Sequence, residues 1–218
     1  MANNLYPNSF CAGENADMLA AAHRILAALP PGLSSRRIAA LGRGSGTFLT
    51  AAVETGSTFA YGYENGSEEK DTLPSAIKMR AWDPEGPLVG PAVDLVVLLS
   101  PANAVPPDRA EALVRDLVAL APAVFLASGA HPDGPGSNVL AELFAAHGYL
   151  TCDGIGPDIR EGHAVPAAVW LKGVLFVAGE TARTMSLIPA QPKLPDGGPP
   201  VHLGDAIRRR QAQEAQQQ

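Results

Sequence analysis

The chain has 218 residues, of which 46% are hydrophobic and 17% charged, enough apolar material for the core of one domain. Its net charge of −6 argues against nucleic acid as a main partner, because phosphate binding needs a basic face. The longest strongly apolar run, Val93–Leu99, is far shorter than the ~20 residues of a membrane helix, so no membrane association is expected.

The cysteines and the N-terminus bear on metal binding and on the cellular compartment. Cys11 and Cys152 are too few for a disulfide framework, and no cluster of Cys and His has metal-ligand spacing, so no metal site is expected. The first residues lack the basic start and apolar stretch of a secretory signal. A cytoplasmic protein is the expectation.

Helical and strand-like segments alternate along the chain. Apolar residues at helical spacing predict a first helix over 15–29, and further helices are predicted at 47–54, 109–120 and 139–147. Strands are predicted at 38–41, 58–63, 77–81, 93–99 and 124–128, followed by a pair at 149–155 and 168–178. The alternation predicts an α/β fold whose parallel sheet is covered by helices on both faces. No helix separates the last two strands, which indicates an antiparallel pair.

The composition divides the chain into three parts. Residues 1–30 form an N-terminal arm and helix, and residues 31–180 carry the strand–helix pattern of a ligand-binding domain. Residues 181–218 are rich in Pro, Gly and Gln and hold too little apolar surface to fold alone, which is typical of a mobile tail. A protein partner for this C-terminal tail is a less favoured interpretation.

A glycine-rich turn, "GRGSG", lies between the first predicted strand and the next helix. Gly42, Gly44 and Gly46 allow the backbone to turn sharply and to approach a ligand without an intervening Cβ. The helix that follows offers unpaired N–H groups at its start. Glycine is also common in plain strand-to-helix turns, so the motif needs support from elsewhere in the chain.

That support comes from the ends of the next two strands. Glu64 ends the second strand, where a carboxylate can accept both hydroxyls of a ribose. Asp83 follows the third strand and can bind an adenine amino group, while Trp82 beside it can cover the ring. Because the carboxyl ends of parallel strands meet at one crevice, an adenosine-type ligand is favoured over a bare scaffold.

The segments "IAALGRGSGTFL", "YGYEN" and "AWDPEGPL", in this order, resemble the motifs of class I S-adenosylmethionine-dependent methyltransferases of the small bacterial kind. The resemblance extends from about residue 6 to residue 178. It implies a Rossmann-like three-layer sandwich with a mostly parallel seven-stranded sheet whose last strand is antiparallel. It also implies S-adenosylmethionine as cofactor.

The resemblance assigns a role to each of these residues. It places the three glycines of the turn at the methionine end of the cofactor, Glu64 at the ribose and Asp83 at the adenine.

The sequence departs from the family pattern at three places. Ala40 stands where the family usually has an acidic residue that helps hold the cofactor's amino group. Arg43 stands between the first two glycines, where many relatives have a small residue. Ser100–Ala104 replaces a Glu-x-x-Glu-His pattern that faces the methyl acceptor. The remaining candidates for catalysis are all in or next to the loop after the fifth strand: His131, Asp133 and Asn138.

Three hypotheses follow. The first is a methyltransferase acting on a small-molecule or glycan-type acceptor, although no residue specifies that acceptor. The second is a catalytically silent relative, a pseudoenzyme that serves as a binding or scaffold module, which Ala40 and the Ser100–Ala104 loop favour. The third is a nicotinamide-dependent oxidoreductase. It comes last because Gly46 lies one position too early for G-x-G-x-x-G and no Tyr-x-x-x-Lys pair is found.

Overall fold

The computed structural model describes residues 12–30, 33, 37–42, 44–64, 73–99, 107–127, 137–152, 173–185 and 187. Its strands in chain order are β1 Arg37–Leu41, β2 Phe59–Glu64, β3 Ile77–Ala81, β4 Leu95–Leu99, β5 Ala123–Ala127, β6 Tyr149–Cys152 and β7 Gly173–Ala178. Its helices are α1 Ala12–Ala28, α2 Ser45–Glu54, α3 Ala110–Leu120, α4 Ser137–Ala146 and α5 Gly179–Thr184, and the 3₁₀ turn Pro107–Arg109 precedes α3.

The seven strands form one sheet in the order β3-β2-β1-β4-β5-β7-β6. Strands β1 to β5 run parallel to one another, whereas β7 is antiparallel to both β5 and β6. The predicted α/β sandwich with an antiparallel last strand is therefore confirmed, as is the antiparallel final pair.

Helices cover both faces of the sheet, which produces two hydrophobic cores. Helices α1, α2 and α5 pack on one face, and α3 and α4 pack on the other. Strands β4 and β5 are buried along their whole length, as central strands covered on both sides must be. The predicted start of β4 at Val93 is two residues early. The N–H groups of Val93 and Asp94 bind the carbonyls of Leu120 and Arg37 and lead into the strand.

The terminal helices of the described region belong to the same cores. Helix α1 buries Ala22, Ile25 and Leu26 in the core that it shares with α2. Helix α5 continues past residue 180, and Ala182 in it is 1% exposed. Residues 188–218 of the predicted tail lie outside the described residues. None of the helices in the described ranges combines the length and the hydropathy needed to span a membrane.

Candidate functional site at the carboxyl edge of the sheet

The order of the strands reverses between β1 and β4. From β1 the chain proceeds outward through β2 to β3, and from β4 it proceeds the other way to β5. In open α/β sheets a ligand crevice forms outside the carboxyl ends of the strands at such a switch point. The residues that end or follow these strands are Gly42, Glu64, Asp83 and Leu99, so three of them are among the predicted site residues.

The glycine turn after β1 depends on its glycines for two separate reasons. Gly42 has φ 101° and Gly44 has φ 84°, a left-handed backbone that side chains with a Cβ rarely adopt. A Cβ at Gly42 would also collide with the carbonyl oxygen of Leu99 at the end of β4. The Gly42 N–H donates to the Tyr63 carbonyl at 2.9 Å, which ties the turn to β2. The turn is thus locked to strands on both sides.

Apolar side chains lie against the other two glycines. A Cβ at Gly44 would overlap the terminal methyl group of Met18, which reaches it from α1. A Cβ at Gly46 would lie 3.2 Å from Leu73 Cδ2. Gly44 and Gly46 are both buried, and Met18 and Leu73 occupy the space that a side chain at these positions would take.

Glu64 connects the turn to the end of β2. Its Oε1 accepts the backbone N–H of Gly44 at 3.0 Å, and the residue is only 7% exposed. Its backbone carbonyl accepts the N–H of Trp82 at 3.0 Å. A buried carboxylate that accepts a backbone N–H holds the turn in place, because charged hydrogen bonds are stronger than neutral ones. Glu64 therefore has a structural role that the sequence alone did not indicate.

Asp83 begins a tight turn just after β3. Its Oδ1 accepts the Glu85 N–H at 3.0 Å, and its carbonyl accepts the Gly86 N–H at 2.9 Å. Asp at the first position, Pro84 at the second and Gly86 at the fourth are the residues that such a turn favours. The side chain is exposed at the carboxyl edge, so it remains accessible to a ligand.

Trp82, the predicted cover of the adenine ring, lies in a hydrophobic core. It is 6% exposed and packs with the cluster that contains Tyr63 and Leu88. Its indole Nε1 is buried and has no hydrogen-bond partner among the residues that the structure describes. Core packing accounts for the ring, and its role toward a ligand stays a prediction.

No family model matches the sequence, and no curated protein does so either. Solved structures do match. The magnesium protoporphyrin IX methyltransferase of Synechocystis PCC 6803 with bound S-adenosylmethionine is 13% identical, with a TM-score of 0.56 over 81% of this chain and 88% of that one. Phosphoethanolamine N-methyltransferase 1 of Haemonchus contortus is 15% identical, with a TM-score of 0.50 over 93% of this chain and 48% of that one. The fold is that of the class I methyltransferases.

Within this methyltransferase fold, Ala40 and Ser45 stand out on the side of β1. Ala40 is 0% exposed and lies in the core beneath α1 and α2, so no carboxylate is present at that position. Ser45, the first residue of α2, is also 0% exposed, and its hydroxyl has no hydrogen-bond partner within the described part of the chain. Ser45 is not among the predicted site residues, although its place between Gly44 and Gly46 is a signal for it in the sequence.

Several predicted residues of this methyltransferase fold lie outside the described residues: Arg43, Ser100–Ala104, His131 and Asp133. Asn138 belongs to the first turn of α4. The described residues join the glycine turn to Glu64, and Glu64 to Trp82, through hydrogen bonds, and the cofactor-binding and catalytic roles stay predictions. No group of three or more potential metal-ligating side chains occurs within the described ranges.

Proposed function

We propose that the chain is an S-adenosylmethionine-dependent methyltransferase. The observation that carries this proposal is the buried Glu64 carboxylate bound to the Gly44 N–H at the switch point of the sheet. This contact places an acidic group beside a glycine turn of positive φ, an arrangement suited to a ribose and the chain that extends from it. The structural similarity to a methyltransferase with bound S-adenosylmethionine supports the same cofactor.

The residues of the site fit the adenosine end of this cofactor better than its methionine end. Glu64 would accept hydrogen bonds from the ribose hydroxyls, and the exposed Asp83 would accept one from the adenine amino group. Gly42, Gly44 and Gly46 would give backbone access at the methionine end. Ala40 contributes no polar group there. An acid at that position would supply a charged hydrogen bond, commonly about 1.5–3 kcal/mol, so we expect weakened rather than absent binding.

S-adenosylmethionine, when bound, supplies a methyl group already activated on a sulfonium. The protein then has to align the acceptor atom and exclude water from the crevice. A general base is required only for an acceptor that must lose a proton, and His131, Asp133 and Asn138 are the candidates that the sequence offers. We propose a small molecule or a glycan-type molecule as the acceptor.

A second candidate function is a silent binding module with the same fold. The contacts of Met18 and Leu73 with the turn favour it, as does the buried, apolar Ala40. Both observations concern the methionine end, where the transferred group would lie. A module of this kind would bind adenosine-type ligands and show no turnover.

Calorimetric titration with S-adenosylmethionine, S-adenosylhomocysteine and NAD tests these assignments. We expect micromolar binding of the two sulfur compounds by the unaltered protein. Glu64→Gln is the informative variant, because its amide oxygen can still accept the Gly44 N–H while the negative charge is removed. The matched control is Glu85→Gln, which removes an exposed carboxylate close to Asp83. Binding lost only in Glu64→Gln supports the proposal.

Other outcomes separate the alternatives. If neither sulfur compound binds at millimolar concentration, the methyltransferase proposal is wrong. Binding of NAD alone would instead support the oxidoreductase. If the sulfur compounds bind and no S-adenosylhomocysteine accumulates across an acceptor screen, the silent module is supported.

A further inference from the structure

A second surface of the molecule combines exposed cations with aromatic rings. On the sheet face that bears α3 and α4, Phe59, Tyr61 and Tyr63 follow one another along β2. The register pairs Arg37 of β1 with Phe59, Lys78 of β3 with Tyr61, and Arg80 of β3 with Tyr63. Residues paired in this way lie side by side on one face. We call the set Arg37, Phe59, Tyr61, Lys78 and Arg80 the cationic–aromatic face.

Among the described residues, no carboxylate forms an ion pair with the cations of this face. Arg37, Lys78 and Arg80 are all exposed, and the ion pairs within the described part of the chain are His23–Glu54 and Arg115–Asp116. The Arg37 guanidinium lies 5.4 Å from the centre of the Phe59 ring. Arg80 donates to the Val89 carbonyl at 3.2 Å. Asp94 is next to Arg37, but its carboxylate accepts the backbone N–H of Arg37.

The aromatic rings form a short ladder. The rings of Phe59 and Tyr61 are 6.1 Å apart with planes only 14° from parallel, and both residues are half-buried. Tyr61 and Tyr63 are 5.1 Å apart at 49°. Flat rings held on a sheet and flanked by cations are the arrangement on which unpaired bases stack while phosphates meet positive charge.

Protection of an edge strand accounts for only part of this face. Lys and Arg on β3, the edge strand of the sheet, discourage pairing with a second sheet. That role does not require Arg37, which lies on the inner strand β1. It does not require the two near-parallel rings on β2 either. The whole set is better explained by a ligand that is both anionic and flat-ringed.

We propose that the cationic–aromatic face binds single-stranded nucleic acid, with bases on Phe59 and Tyr61 and phosphates on Arg37, Lys78 and Arg80. The net charge of −6 describes the whole chain, and it is the basis on which nucleic acid was not expected as a main partner. A bound phosphate responds mainly to the charges within a Debye length, about 8–10 Å. The face is distinct from the carboxyl edge of the sheet, so this proposal is independent of the proposed methyl transfer.

Fluorescence anisotropy with labelled single strands of about 15 nucleotides, DNA and RNA in separate arms, tests the proposal. We expect binding at low salt that weakens as salt rises. The double variant Lys78→Glu/Arg80→Glu should reduce affinity at least tenfold and lower the salt slope by about two. The matched control Arg24→Glu/Arg183→Glu makes the same charge change at exposed positions on α1 and α5 and should leave the slope unchanged.

Tyr61→Ala tests the stacking. Loss of one stacked base should weaken binding roughly 5- to 150-fold, and Tyr61→Leu keeps apolar bulk in case the alanine variant fails to fold. Heparin, a polyanion without aromatic rings, should bind equally to the unaltered protein and to the Tyr61 variants. The proposal is overturned by any of three results: no binding of either strand at low salt, equal loss in the Arg24/Arg183 control, or no effect of either Tyr61 variant. Binding confined to phosphatidylserine vesicles would also overturn it.

Discussion

The two halves of the carboxyl edge differ in what they offer a ligand. The outer half, at the ends of β2 and β3, presents the carboxylates of Glu64 and Asp83. The inner half, at the ends of β1 and β4, presents the fully buried Ala40 and a glycine turn pressed against the Leu99 carbonyl. Within the described residues, the inner half thus keeps the backbone shape of the fold and offers no carboxylate. Under the proposed function, adenosine recognition and placement of the methyl group are therefore separable properties.

Ala40→Asp tests whether the inner half lacks only its acid. Ala40 is in register with Gly62, whose face is packed by Met79 and Leu49, so a carboxylate there would be buried among apolar groups. We expect a loss of about 3–5 kcal/mol in the free energy of unfolding, as for an uncompensated buried charge. Urea denaturation measures it, and Ala40→Ser is the smaller polar control. A stable Ala40→Asp variant that binds S-adenosylmethionine more tightly would remove the contrast between the halves.

Gly42→Ala should be the next most damaging change. The variant combines the strain of a left-handed alanine, about 1–2 kcal/mol, with overpacking against the Leu99 carbonyl, about 1–3 kcal/mol. Gly56→Ala is the matched control, since Gly56 has φ 102° and open space around it and so reports the strain alone. Equal losses of stability in the two variants would show that the approach to β4 is not tight.

Glu64→Ala tests the outer half. Removal of the acceptor for the buried Gly44 N–H should lower the free energy of unfolding by about 1–3 kcal/mol. Asp83→Ala should cost less, because its partner, the Glu85 N–H, belongs to an exposed turn. Thermal denaturation of the two variants gives the comparison. A larger loss in Asp83→Ala would reverse the assignment of the buried structural role.

Ionisation of Tyr63, whose backbone carbonyl accepts the Gly42 N–H, should have the smallest effect on the free energy of unfolding, and only in alkaline solution. Burial, with a smaller contribution from Tyr61, raises the pKa of Tyr63 to about 12, while Arg80 lowers it. Because the unfolded chain releases this proton near its ordinary pKa of 10, its stabilisation is full below pH 10 and falls as the pH rises toward 12. The loss is about 1.4 kcal/mol at pH 11.

Tyr63→Phe should flatten part of that alkaline decline when stability is followed against pH. Tyr149, whose pKa burial also raises, should continue to contribute in the same range. A variant whose stability falls between pH 10 and 12 as steeply as that of the unaltered protein would contradict the assignment to Tyr63.

The strand–helix alternation and the motif order were readable from the sequence because each depends on local patterns. An apolar run such as Leu95–Leu99 of β4 indicates a strand covered on both faces, and a final pair with no helix predicted between its strands favours antiparallel pairing. Glu64 and Asp83 could be placed at strand ends for the same reason. The hydrogen bond from Gly44 to Glu64 could not be predicted, because it joins residues 20 positions apart through a particular side-chain conformation.

The sequence by itself determined the fold class, the glycine turn and the residues that end the strands, since periodicity and glycine conformation act over a few residues. The tertiary structure decided which groups meet. It places Gly42 close to the Leu99 carbonyl and Met18 of α1 against Gly44, and it buries Ser45. It also places three cations beside two aromatic rings across β1, β2 and β3. These contacts depend on strand order and register, which are set by the packing of the whole sheet.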